Sequence, residues 1–397
     1  MFDDISPAPP DSILGLTEAF KSDPRPFKVN LGVGVFQNDN GQTPVLRAVK
    51  AAEAAILSAE TTKNYLPIPG EPEFGQRVEE FLFGDARPAA ARTAQAPGGT
   101  GALRIAADLL AEISSMSAVW LSAPTWPNHR GVFGAPGLAI KSYPYYDTAG
   151  RRVTFDAFAD TLEKIPAGDI VVLHLGCHNP SGADPTLEQW KAVAGIAARR
   201  GWLPVFDAAY IGFGDSVEED RRPLRVFLES GIELLIATSF SKNLGLYRER
   251  AGALTLVARS PAAADAAFSR VKRVIRVLFS NPPSHGGQIA RLVLSDPILR
   301  TMWIEELKTM CGRIHAMRDR FAEEMARRAP DRDFSFIRAQ RGMFSFSGLS
   351  PAHVVWLRAE RAIFMTEDGR INVAGLTPKN LDYVCAAIAD ALGAVAA

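Results

Sequence analysis

The sequence predicts an α/β protein whose larger part is a mainly parallel central sheet flanked by helices, joined to a smaller α/β part. Two observations predict it. Short β-rich apolar runs alternate with helical stretches through the middle of the chain, and strand, helix, strand repeats imply parallel pairing. The last ninety or so residues then change character, with long Ala-, Arg- and Glu-rich helices around the short run GMFSFSG.

Taken in order, the Pro-rich opening with Pro7, Pro9 and Pro10 reads as an extended arm. ARTAQAP reads as a strand that enters a Gly-rich turn, followed by a helix beginning near Thr100. AVWLSA (118–123), DIVVLHL (169–175), LPVFDA (203–208), LLIATS (234–239) and ALTLVA (253–258) read as further strands, and LEQWKAVAGIAARR as an amphipathic helix. In parallel sheets ligands bind beyond the carboxyl ends of strands. Ser122 to Trp126, Asn179, Asp207, Tyr210 and Lys242 all lie at or just after such ends, so they are expected to converge on one edge. There is no internal repeat and no low-complexity linker.

Bulk properties narrow the function classes. With 397 residues, 47% of them hydrophobic, the chain buries a large core and is long enough for two or three structural units. Its 44 basic and 44 acidic residues leave no net field to gather nucleic acid or a membrane surface, so small anions must be held by local arginines. Cys177, Cys311 and Cys385 are odd in number and widely spaced, which argues against a disulfide framework or a metal site and for a reducing compartment. The start carries acids where a signal peptide carries bases, and no apolar run reaches the roughly 18 residues of a membrane span. A cytoplasmic location is expected.

The chemistry is read from residue types and their places. Lys242 in SFSKN follows a buried apolar run, which favours a desolvated nucleophilic amine over an exposed structural lysine. Gly99, Thr100 and Gly101 at a strand-to-helix turn aim backbone N–H groups at an anion, although such turns are equally common as plain structure. Arg250, with the Ser239 and Ser241 hydroxyls, supplies a charged fork for a phosphate. Asp207 ends a strand, where it either caps a turn or, buried, pairs with a cation such as a protonated ring nitrogen. Tyr210 and Asn179 are donors for a phenolate oxygen near that ring. This set is what a pyridoxal phosphate enzyme needs. Trp126 offers a stacking face or core packing, and His129 either orients Asp207 or is a satisfied core histidine. His174 and His178 have no metal-ligand partners in register and read as structural. Arg370 and Arg276 either clamp two carboxylates or are ordinary surface arginines.

These residues together resemble the class I aminotransferases, in the aspartate and aromatic branch of fold-type I pyridoxal phosphate enzymes. The likeness runs from NLGVGVF (30–36) and TTKNYLPIPGEPEF (61–74), through GGTGALR, PTWPNH, CHNPSG, FDAAYIGF and SFSKNLGLYRERAG, to RGMFSFSGL and GRINVAG. The resemblance implies that Lys242 is the Schiff-base lysine, Asp207 the ring-nitrogen partner, and Tyr210 and Asn179 the donors to the cofactor oxygen. It implies Gly99, Thr100, Ser239 and Arg250 for the phosphate, Trp126 for stacking and Arg370 for the α-carboxylate. Gly34 lies on the lid segment. In a homodimer with shared sites, Tyr65 reaches the phosphate and Arg276 the distal carboxylate of the neighbouring subunit. The implied layout is an arm over 1–10, a small domain of 11–43 and 310–397, and a large domain of 44–309.

The implied activity is transfer of an amino group from L-aspartate or L-glutamate to a 2-oxo acid, with dual aromatic and dicarboxylate specificity as the alternative. Phe36, Ile211 and Phe279 depart from the family pattern in the apolar direction, which could admit aromatic side chains. A lyase or decarboxylase on the same scaffold is disfavoured by the two clamp arginines. An idle pyridoxal-binding regulator is disfavoured by neutral charge and the lack of a winged-helix region.

Overall fold

The computed structural model describes residues 2, 4–7 and 14–395, so the arm expected over 1–10 lies partly outside the described residues. The described strands are, in order, β1 (Val29–Asn30), β2 (Ala91–Pro97), β3 (Ala118–Ala123), β4 (Ala139–Pro144), β5 (Tyr146–Asp147), β6 (Arg152–Val153) and β7 (Ile170–His174). They continue with β8 (Leu203–Ala208), β9 (Leu234–Ser239), β10 (Ala251–Val257), β11 (Phe344–Phe346), β12 (Ile363–Phe364) and β13 (Arg370–Asn372). Seven of them form one sheet in the order β2-β10-β9-β8-β7-β3-β4.

The sheet's central strands are buried on both faces because their alternating side chains feed two apolar clusters. In β7, Val171 and Leu173 enter one cluster and Ile170 and Val172 the other. In β9, Leu234 and Ile236 face the first and Leu235 and Ala237 the second. Helices seal each side. Gly98–Ile113 and Pro261–Leu278 supply Leu103, Ile105 and Ile275 to one face, and Leu187–Arg200 supplies Trp190 and Val193 to the other. That last helix is stopped at both ends by its own sequence: Thr186 and Gln189 form a capping box, and Gly201 takes the left-handed conformation at φ 73°.

Two details differ from the sequence expectation. The helix expected near Thr100 begins at Gly98. More importantly, the run ALTLVA belongs to a strand that starts at Ala251 and lies antiparallel to both its neighbours, β2 and β9. Its composition is that of a buried strand in either direction, so nothing local betrays the reversal. The other pairs in the sheet are parallel.

Beyond the sheet, β1 pairs parallel with β12, and β11 pairs antiparallel with β13. The β11 end is bonded to the 32-residue helix Pro297–Arg328 through Arg318, and Ile314, Met317 and Phe321 of that helix belong to the same buried cluster as Leu31, Phe344 and Ile371. No described helix is long and apolar enough to cross a membrane.

Candidate active site

A cleft of about 710 Å³ opens at one edge of the seven-stranded sheet. Asn179, Asp207, Tyr210, Ser239 and Lys242 line it from the carboxyl ends of β7, β8 and β9. Arg250 reaches the same edge by a different route. Because β10 is reversed, the residue just before its amino end lies where its neighbours have their carboxyl ends. Gly34, Gly99, Thr100, Trp126, Ser241 and Arg370 complete the set of expected residues that line the cleft. Tyr65 and Arg276 do not line it: both are exposed, Tyr65 at 91%.

The corner of the cleft where an anion is expected is set by backbone. Gly98 takes φ 73°, and a Cβ there would come within 2.5 Å of the Arg250 guanidinium. A Cβ on Gly252, the second residue of β10, would lie 2.5 Å from the Gly98 carbonyl carbon and 2.7 Å from the Thr238 oxygen. Glycine at these two positions lets β10 and the amino end of the helix Gly98–Ile113 close on each other. Arg250 itself adopts φ 54° and is held by the Tyr247 carbonyl at 3.0 Å and Ser241 Oγ at 3.3 Å. The amino end of that helix, the Ser239 and Ser241 hydroxyls and the Arg250 guanidinium thus line one part of the cleft, donor types that suit an anion.

Asp207 is buried and accepts a hydrogen bond from His129 Nε2 at 3.0 Å. Burial works to raise its pKa, but the hydrogen bond from His129 and, after it, the nearby charge of Lys242 pull the other way, and the carboxyl is held below its ordinary value. Behind it runs a chain of contacts. His129 Nδ1 lies 2.8 Å from Thr125 Oγ1, Thr125 Oγ1 lies 3.2 Å from His174 Nε2, and the Asn179 N–H points at His174 Nδ1 at 3.5 Å. The carboxylate can only accept and the amide can only donate, which fixes the direction. His174 accepts at Nδ1 and donates from Nε2 to Thr125, Thr125 donates to His129 Nδ1, and His129 donates from Nε2 to Asp207. This requires a neutral His174, and burial pulls its pKa down to about 3. His129 therefore orients Asp207, and His174, read from sequence as structural, sits two links behind it, through Thr125.

Lys242 is half-buried on the cleft wall, with its Nζ 5.0 Å from the centre of the Tyr210 ring. Burial lowers its pKa, Arg250 and Arg370 push the same way, and Asp207 opposes them. Burial raises the Tyr210 phenol, so it stays a protonated donor through the neutral range. Arg370 donates to Asn179 Oδ1 at 3.2 Å and to the Gly32 carbonyl at 2.7 Å, while its buried Nε has no partner. Of its five N–H donors, then, one that cannot reach water is unspent. Trp126 meets His129 edge-on at 5.3 Å and lines the cleft.

Several lining residues lie outside the sequence expectation. Phe344 packs 4.3 Å from the Arg370 guanidinium and edge-on to Tyr210 at 6.1 Å, and Gly34 is glycine because a Cβ would meet the Phe344 ring at 2.7 Å. Tyr247 accepts the Phe36 N–H at 2.9 Å. Asp184 is a support rather than a lining group: its half-buried carboxylate accepts the Cys177 and His178 N–H groups at 2.7 and 2.9 Å and shapes the loop that ends in Asn179. Phe36 and Ile211 are buried but do not face the cleft; Phe36 lies under the Arg313 guanidinium at 5.5 Å.

Residues 26–388 match the family model of class I and II aminotransferases. The chain is 50% identical over 395 residues to the aspartate aminotransferase of Escherichia coli (strain K12), covering 98% of this chain and 99% of that protein. It is 42% identical to the aromatic-amino-acid aminotransferase of Pseudomonas aeruginosa, covering 98% of each. Among solved structures, the aromatic-amino-acid aminotransferase of Burkholderia pseudomallei, covalently bound to pyridoxal phosphate, superposes with a TM-score of 0.96 at 46% identity over 99% of both chains. The aspartate aminotransferase of Saccharomyces cerevisiae cytoplasm superposes with a TM-score of 0.97 at 33% identity, covering 100% of this chain and 99% of that one.

Proposed function

Because this chain belongs to the class I and II aminotransferases, we propose that it uses pyridoxal phosphate to move the amino group of L-aspartate or L-glutamate to a 2-oxo acid, 2-oxoglutarate or oxaloacetate, in a ping-pong cycle. One observation carries this. A single cleft gathers a half-buried lysine of lowered pKa, a charged carboxylate and a buried arginine with an unspent N–H, in Lys242, Asp207 and Arg370.

The residues present fit the cofactor. Gly99, Thr100, Ser239, Ser241 and Arg250 would hold its phosphate, in the cradle that a Cβ at Gly98 would fill. Asp207, held charged by the His129 bond, would keep a proton on the ring nitrogen. Tyr210 and Asn179 would donate to the ring's phenolate oxygen, and Trp126 would cover one ring face. When bound, the cofactor supplies an aldehyde that condenses with amines and a ring that accepts electrons from the substrate α-carbon. Lys242, once free, is the group placed to take and return a proton at that carbon, and its desolvation brings its basicity toward the neutral range. Arg370 would take the α-carboxylate on Nε and its remaining N–H donors.

The rest of the reading concerns assembly. Within one chain the cleft's cations are Lys242, Arg250 and Arg370, each already assigned, so a distal carboxylate needs a charge from elsewhere. Exposed Tyr65, Arg276 and the neighbouring Val277 and Leu278 suit a homodimer in which Tyr65 and Arg276 enter the other subunit's site. We also propose the division into 44–309 against 11–43 with 310–397, closure between them to exclude water, and a cytoplasmic location. The aromatic alternative rests on the resemblance to the two aromatic aminotransferases and on Phe279, half-buried at the end of the helix that carries Arg276.

The test is the second-order rate of cofactor bleaching in single turnover with L-aspartate and with L-phenylalanine. A strong preference for aspartate supports the dicarboxylate reading, and comparable rates replace it with the aromatic one. Bleaching by neither overturns the aminotransferase assignment.

A further inference from the structure

Arg318 lies on the helix Pro297–Arg328 and does not line the cleft, yet it is among the most buried charged side chains described, 1% exposed. Every group it bonds is uncharged. Nη1 donates to the Ile337 carbonyl at 3.1 Å and to Ser345 Oγ, and Nη2 donates to the carbonyls of Gly342 at 2.7 Å and Phe344 at 2.8 Å. A guanidinium in such a place is costly, and burial pulls its pKa down to about 9, partly offset by the more distant Asp184. An apolar side chain of similar volume would avoid that cost, so the arginine answers to something besides stability.

What it holds is the stretch 342–345, and several contacts of that stretch and of the adjoining Arg341 lead toward the site. The Arg341 N–H bonds the Gly182 carbonyl at 2.7 Å and the Gly342 N–H bonds the Phe213 carbonyl at 3.2 Å, which ties the stretch to the loops following Asn179 and Tyr210. Phe344 packs on the Arg370 guanidinium and touches the lid segment at Gly34. β11 pairs with β13 in the register Phe344 to Asn372 and Phe346 to Arg370. There is little slack: a Cβ on Gly182 would lie 2.4 Å from the Phe344 carbonyl, and one on Gly342 2.4 Å from Cys177 Cβ.

We propose that Arg318 is a positioning residue for substrate binding, fixing the 342–345 backbone so that Phe344 and β13 hold Arg370 in the orientation that receives the substrate's α-carboxylate. The inference rests on the functional reading above and deepens it. Arg318 touches neither substrate nor cofactor. Its effect passes through the one arginine that every amino acid and 2-oxo acid substrate uses, so it affects all substrates alike.

The test uses the holoenzyme with 3-phenylpropionate and succinate, which carry carboxylates but no amino group and do not turn over. Their dissociation constants are read from the change in cofactor absorbance for wild type, Arg318→Lys, Arg318→Met and Ser345→Ala. Arg318→Met is expected to weaken both ligands by the same factor, roughly tenfold or more, and Arg318→Lys and Ser345→Ala by less. KM for aspartate and phenylalanine rises in step, kcat changes little, and bound cofactor per subunit is unchanged. Met325→Ala, a buried change further along the same helix, is the control for lost stability alone. The proposal is overturned by unchanged dissociation constants in the folded variants, by unequal factors for the two ligands, or by Met325→Ala weakening binding as much at equal loss of Tm. If Arg318→Met does not fold, the same comparison is made with Arg318→Lys and Ser345→Ala, and unchanged binding in both overturns the proposal. Failure of wild type to bind either ligand or to bleach with either amino acid would instead sink the functional reading.

Discussion

Replacing Arg370 by Met separates the needs of the site from those of the fold. The wild-type guanidinium is buried, is pulled below its ordinary pKa by that burial, and spends only two of its donors inside the protein, on Asn179 and Gly32. Met is of similar length and apolar. The relief of burying an incompletely partnered cation, often about 1–4 kcal/mol, opposes the roughly 1–3 kcal/mol of leaving the Gly32 carbonyl and the Asn179 amide without their partner. The two nearly cancel, so Tm is expected to stay within a few degrees of wild type. Substrate has no such compensation. Losing one partner of a buried, forked carboxylate pair costs about 3–5 kcal/mol, which at 1.4 kcal/mol per decade lowers kcat/KM roughly 100- to 5,000-fold. Arg370→Lys keeps the charge but loses the fork, and falls between. The assay is the single-turnover rate with L-aspartate beside thermal unfolding of the same preparations. A loss of kcat/KM below tenfold in Arg370→Met would refute the assignment of the α-carboxylate to this residue. A large fall in Tm would refute the argument that its burial serves binding.

Other outcomes follow from the same geometry. Lys242→Ala is expected to retain the cofactor non-covalently in its cradle and to lose transamination; wild-type turnover in that variant, measured with aspartate and 2-oxoglutarate, would rule the lysine out. His174 titrates near 3 when folded against an ordinary 6.5, so its contribution to stability is complete above pH 6.5 and is lost as pH falls toward 3. The urea-unfolding advantage of wild type over His174→Gln should therefore shrink by about 2 kcal/mol between pH 7.5 and pH 5, and a constant difference would contradict a neutral buried His174. Gly252→Ala places a methyl against two backbone atoms that cannot rotate away. It should cost roughly 1–3 kcal/mol in unfolding and speed cofactor release, and an unaffected release rate would mean that the cradle tolerates widening there.

What the sequence shows of this site is governed by the distance over which each residue's role is decided. Lys242, Asp207 and Asn179 are legible because each follows a recognisable buried strand, and the end of a strand in a parallel sheet is already a position in space. Arg250 is legible as a residue but not as a location, since the reversal of β10 depends on its partners β2 and β9 and not on its own composition. His174 reads as structural because its role depends on Thr125, which comes from another strand end. Phe344 and Arg318 are hidden more deeply. Phe344 meets Gly34 from the far end of the chain, and an arginine on a long helix, such as Arg318, has the pattern of a solvated charge until the fold buries it. Phe36 and Ile211 err the other way: as apolar departures they point to the pocket, but the backbone turns their side chains into the core.

The bond from Arg370 to the Gly32 carbonyl joins residues 338 positions apart, and among the described residues β1 pairs with β12 alone. During synthesis at about 5–20 residues per second, the segment around Gly32 emerges roughly 20–70 s before the strand it needs exists. For that interval Val29 and Leu31, both buried in the finished protein, have no site to occupy, while β2, β3 and β7 to β10 can already assemble. A ribosome stalled before residue 363 would thus display a nearly complete central sheet with its earliest-made segment still unpaired, and that segment is where a nascent-chain chaperone would find its handle.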